Sequence, residues 1–150
     1  MADLMAKPNY QLPSTNRSLP IALMRSREKV MAPIREMLKA SGITEQQWRV
    51  LRILSEFGPQ DLTEVAAKAS LLMPSLSRII RKLGEDELIT RATDSEDRRR
   101  QTVVIAPAGQ KIIDDNLAQA TRIAAEFQYR LGADRFELLL DLLAELEHEV

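Results

Sequence analysis

The sequence predicts a mainly α-helical protein carrying one β-hairpin, and three observations set that fold class. Apolar residues recur every three or four positions over most of the 150 residues, the spacing of amphipathic helices. That period breaks once, between Leu88 and Ile105, where two β-branched stretches flank a polar tip. Gly, Pro and short polar residues stand where such helices have to start and stop. The length suits one domain, and 45% hydrophobic residues are enough for a core.

Residues 1–17, with Pro8 and Pro13 among polar neighbours, read as an N-terminal arm. Leu19, Leu23, Ser26, Val30, Ile34 and Met37 trace a helix over about 18–40, with Pro33 as a possible kink and Ser41-Gly42 as its end. Thr44 and Gln47 have capping-box spacing and open a helix carrying Trp48, Val50, Leu51, Ile53 and Leu54, which Gly58-Pro59 stops. Asp61 and Glu64 repeat the pattern before a short helix over 61–69. Pro74 suits the first position of the next helix, over 74–86, whose inner face is Leu76, Ile79, Ile80 and Leu83. Residues 88–93 and 101–105 read as strands around the tip 94–100. Pro107 and Gly109 open a long helix to about Leu131. Gly132 breaks it, and a last helix follows from about Asp134.

Composition removes whole classes of function. There are no cysteines, which excludes disulfides, thiolate metal sites and cysteine nucleophiles. The one histidine, His148, argues against a Ser-His-Asp arrangement and against a histidine-ligated metal. No catalytic motif is present, so neither enzyme activity nor a cofactor or metal is expected. No apolar run is long enough to cross a bilayer and the N-terminus lacks a secretion-signal pattern, so a cytoplasmic protein is expected.

The net charge of −1 hides a gradient. Residues 1–67 and 68–100 each carry a net +2, and residues 110–150 a net −5. The helix pair 61–69 and 74–86 has helix-turn-helix spacing, and the hairpin after it supplies a wing. The fold expected is therefore a winged helix-turn-helix with a two-stranded β-wing over 44–106, between helices at 18–43 and 107–150. The second helix of the pair takes the reading role. Its outward face carries Ser75, Ser77, Arg78, Arg81 and Lys82. Arg78 is long enough for a guanine edge, while Arg81 and Lys82 suit phosphates. At the wing, Asp97 precedes Arg98, Arg99 and Arg100, a run able to place a guanidinium in a narrow minor groove. Double-stranded DNA is the expected partner. The alternative is a winged-helix protein-interaction module without DNA binding, suggested by the acidic C-terminal third.

The outer helices point to a homodimer. Leu138 and Leu142 lie off the main stripe of Phe136, Leu139, Leu140, Leu143 and Leu146, and a helix apolar on several sides needs more than one partner. Two copies would set two reading helices about one DNA turn apart, ~34 Å, on a pseudo-palindromic site.

Asp97-Arg98-Arg99, followed by a β-branched strand and Gly109, resembles the D-x-R wing signature of the multiple-antibiotic-resistance regulator (MarR) family, and the likeness extends over residues 18–148. Where that family usually has Leu-Thr-x-x-Gly, this chain has Ile105-Ala106-Pro107-Ala108-Gly109, so a capping Thr is replaced by Ala106. The stretches 17–23, Arg27-Glu28, 44–50 and Pro74-Ser75 resemble one branch, repressors of homoprotocatechuate degradation operons. The resemblance implies a repressor released by a small aromatic carboxylate, such as 4-hydroxyphenylacetate, bound between the reading domain and the dimer helices. Arg25, Met31, Trp48 and Arg49 are the residues it suggests for that ligand. Trp48 reads equally as core. Arg25 and Arg49 read first as salt-bridge partners and second as carboxylate ligands.

Overall fold

Capping chemistry sets the element boundaries. In this computed structural model, which describes residues 11–93, 96–97 and 100–148, the Thr44 hydroxyl accepts from the Gln47 amide at 3.1 Å. The Gln47 side chain in turn accepts from the Thr44 amide at 2.9 Å, so the capping box is closed on both sides. Asp61 accepts from the Glu64 amide at 2.8 Å and starts the next helix in the same way. Gly42, at φ 68°, ends the turn before Thr44 in the left-handed region that glycine adopts at no steric cost.

The chain falls into two compact units, residues 1–33 and 34–150. The boundary lies at Pro33, inside helix α1 (Leu19–Leu38), where the missing N–H removes one intrahelical bond. In the first unit, residues 1–10 of the expected arm lie outside the described residues. Residues 11–17 are exposed and hold one 3-10 turn, Thr15–Arg17. Leu19, Leu23, Met24 and Val30 on α1 are exposed as well.

The second unit continues with a 3-10 turn (Lys39–Ser41), α2 (Glu45–Phe57), β1 (Gln60–Asp61), α3 (Leu62–Ala69), α4 (Met73–Glu85), β2 (Ile89–Thr93), β3 (Gln101–Ile105), α5 (Pro107–Leu131) and α6 (Ala133–Glu147). The expected wing is present as the β2–β3 hairpin, with Ile89 opposite Ile105 and Thr93 opposite Gln101. It belongs to a larger sheet than the hairpin alone. The short strand β1 pairs with β3, Gln60 opposite Val103 and Asp61 opposite Thr102, giving the antiparallel order β1-β3-β2. Helix α4 begins at Met73, one residue before the expected start, which puts Pro74 second in the helix.

One core runs through this unit. Leu38, Val50, Leu51, Leu54, Val65, Leu76, Ile80, Leu83 and Val103 are fully buried, so α2, α3, α4 and β3 share a single apolar interior. Gly109 is fixed by a close approach. A Cβ there would overlap the carbonyl oxygen of Leu88, which accepts from the Ala106 amide at 3.0 Å. Ala106 stands at the N-cap of α5 with no side-chain cap bond, and Pro107 opens the helix. Asn116, the one buried polar side chain among the described residues, donates to Ser41 Oγ at 2.9 Å and to the Ile112 carbonyl at 2.8 Å. That amide ties α5 to the turn that precedes α2. Helix α6 buries nothing fully: Leu138, Leu139, Leu140, Leu142 and Leu146 are 41–60% exposed. Among the described residues no helix is long and apolar enough to cross a membrane.

Candidate nucleic-acid interface

Helices α3 and α4 are joined by Ser70, Leu71 and Leu72. Ser70 closes α3 in a left-handed conformation, φ 53°, its amide bonding back to the carbonyls of Ala66 and Ala67. Helix α4 divides cleanly by face. Leu76, Ile79, Ile80 and Leu83 are buried, whereas Ser77, Arg78, Arg81 and Lys82 are exposed and Ser75 is half-buried. Among the described residues Arg78 and Arg81 make no ion pair. Lys82 reaches Asp86 at 3.1 Å along its own helix, an exposed pair of little energetic weight. The outward side of α4 thus presents two unpartnered guanidinium groups above a closed apolar base.

The wing is anchored where its tip rejoins β3. The Arg100 guanidinium lies 3.6 Å from the Asp61 carboxylate, and its amide bonds the Asp97 carbonyl at 3.0 Å. Arg100 is 66% exposed yet is held beside β1, at the tip-side end of the hairpin. Asp97 is half-buried. Arg98 and Arg99 lie outside the described residues. Arg91, on β2, is exposed and, among the described residues, unpaired.

The residues suggested for an effector separate into different situations. Arg25 and Met31 belong to the first unit; Arg25 is exposed without an ion pair and Met31 is half-buried. Trp48 is 6% exposed and packs within the core of the second unit. Arg49 is committed: Nε and one terminal nitrogen hold both oxygens of Glu45, at 3.0 and 2.8 Å, and the other terminal nitrogen donates to the Ala69 carbonyl. It is a strut between the first turn of α2 and the end of α3, the salt-bridge role that the sequence also allowed. The free guanidinium on α2 is Arg52, one turn beyond Trp48, exposed and unpaired among the described residues. The sequence reading passed over it, and its i+4 spacing from Trp48 was the available signal. Among the described residues no cluster of three or more His, Cys, Asp or Glu side chains is placed to hold a metal.

The MarR family pattern matches residues 43–100, the span from just before α2 to the end of the wing's tip. The HTH-type transcriptional regulator FarR of Neisseria gonorrhoeae is 35% identical over 133 residues, 89% of this chain and 91% of its own length. This chain belongs to the MarR family. The homoprotocatechuate degradative operon repressor of Escherichia coli is a further relative, 32% identical over 85% of this chain and 86% of its own. The crystal structure of NadR in complex with 4-hydroxyphenylacetate superposes with a TM-score of 0.78 at 34% identity, covering 91% of this chain and 96% of NadR. As a MarR-type protein the chain is a winged helix transcriptional regulator, and the family's members are regulators rather than enzymes.

Proposed function

We propose that this MarR-type regulator is a homodimeric repressor that reads a pseudo-palindromic operator through α4 and the wing and leaves it on binding a small aromatic carboxylate. The observation that carries the DNA reading is the outward face of α4, where Arg78 and Arg81 stand exposed and, among the described residues, unpaired over a wholly buried apolar face. Cations left without intramolecular partners are available to phosphates and base edges. Ser75, Ser77 and Lys82 flank them, and Asp97, Arg98, Arg99 and Arg100 serve at the wing. Arg100 does so from the point where the tip rejoins β3.

The dimer reading rests on α6 and on the exposed Leu19, Leu23, Met24 and Val30 of α1, surfaces that a single copy leaves in water. In the effector reading Arg25, Met31, Trp48 and Arg49 remain the residues that the family resemblance suggests, and Arg52 is a further exposed guanidinium on α2. Arg49 contributes by holding α2 to the end of α3. The effector class comes from the relatives, a homoprotocatechuate operon repressor and NadR with its 4-hydroxyphenylacetate. Ligand would favour a spacing of the two reading helices that no longer matches adjacent grooves.

One experiment tests all three parts: selection of bound duplexes from a random pool, repeated with aromatic acids present. Enrichment of an inverted repeat that aromatic acids suppress is the expected result. Tight, selective binding that no aromatic acid disturbs would reject the effector class, and enrichment of a single half-site would reject the dimer.

A further inference from the structure

The leading end of α4 breaks a local rule. Helices α2 and α3 begin on Thr44 and Asp61, whose side chains cap them. Helix α4 begins on Leu72, which has the extended backbone of an N-cap, φ −74° and ψ 147°, but makes no side-chain cap bond. Leucine is among the poorest residues at that position. The core does not explain it, since Leu71 supplies the half-buried contact with the interior while Leu72 is 79% exposed. Met73 is 43% exposed, and Pro74, also exposed, has no amide hydrogen to offer. The first turn of the reading helix therefore presents an apolar, exposed Leu-Met-Pro edge, continuous with the face that carries Arg78.

We propose that Leu72, backed by Met73 and Pro74, is a specificity-determining residue that packs against thymine C5-methyl groups in the major groove. The inference rests on the DNA reading above and deepens it. Residues at the N-terminal end of a reading helix are the ones that meet base edges. The thymine methyl is the apolar group those edges display, and apolar side chains recognise it by contact. A capping Ser or Asp at position 72 would favour the helix, but it would present a polar group to that methyl. The exposed leucine is thus a local cost that the DNA contact accounts for.

The test uses the full-length protein and its selected operator, with each thymine replaced singly by deoxyuridine, which removes only the methyl. At one or two positions per half-site the affinity should fall about fourfold, the equivalent of one buried methyl. Leu72→Ser should abolish that uracil effect at the same positions without lowering the melting temperature. Arg78→Ala should weaken binding overall and leave the uracil effect in place. A duplex series in which no uracil position matters, or a Leu72→Ser protein that keeps the full uracil effect, overturns the proposal. So does a Leu72→Ser protein whose oligomeric state changes while uracil is without effect, which would make the patch a protein contact. A chain that enriches no sequence at all overturns the DNA reading itself, a result distinct from the others.

Discussion

Helices α4 and α6 are both amphipathic segments of similar length, yet they end in opposite states. Every apolar side chain on the inner face of α4 is buried, and beyond its apolar first turn what remains outward is polar and mostly charged. In α6 no residue is fully buried, and five leucines stand substantially in water. The core-facing side of the first helix is complete within one chain, and its outward cations are what it leaves for a polyanion. The second is unsatisfied toward other apolar surface. Burial separates a helix whose apolar face is covered within this chain from one whose apolar face is left exposed, a distinction that periodicity alone does not make.

The strongest way to break this comparison is to charge α6. Leu139→Glu with Leu142→Glu should leave the monomer folded, because neither side chain is part of the core. Dimerisation should be lost, and with it roughly 10²–10⁴-fold of operator affinity through loss of bivalency. Sedimentation and titration of the operator check this, and a double variant that stays dimeric would end the dimer reading. Next, Ile80→Ala on the buried side of α4 should cost about 3 kcal/mol in urea unfolding, within the usual range for large-to-small core changes. Leu140→Ala in α6 should cost under ~1 kcal/mol at concentrations where the chain is monomeric. Equal losses would show that α6 is buried after all. On the outward side, Arg78→Ala should weaken operator binding by ~1–3 kcal/mol with the melting temperature unchanged, and the salt dependence should become shallower. The smallest effect is the cap. Thr44→Ala should lower stability by about 1 kcal/mol and leave both DNA affinity and dimerisation intact, as read by thermal melting.

The order of helices was legible because its signals are local. Thr44 and Gln47 cap each other across three residues, and Gly42, Gly132 and Pro107 act on the backbone where they stand. Gly109 was visible as a motif residue. Its reason, the carbonyl of Leu88 pressed against it, lies 21 positions upstream and only the fold brings it there. Strand β1 was not legible at all. Gln60 and Asp61 have no strand-forming pattern of their own, and pairing with β3 makes them a strand. The same limit applies to the site. The outward cations of α4 follow from periodicity. The commitment of Arg49 depends on Ala69, 20 residues away, and the exposure of Leu72 runs against the tendency to assign every leucine to a core.

Asp61 occupies a junction whose effect reaches beyond its own helix. One residue accepts from an amide at the start of α3, lies opposite Thr102 in the sheet and faces the Arg100 guanidinium where the wing's tip rejoins β3. Hairpin and helix pair are therefore geared together through a single carboxylate. In the dimer proposed above, each helix pair would carry its own wing with it, leaving the distance between the two pairs as what a ligand changes.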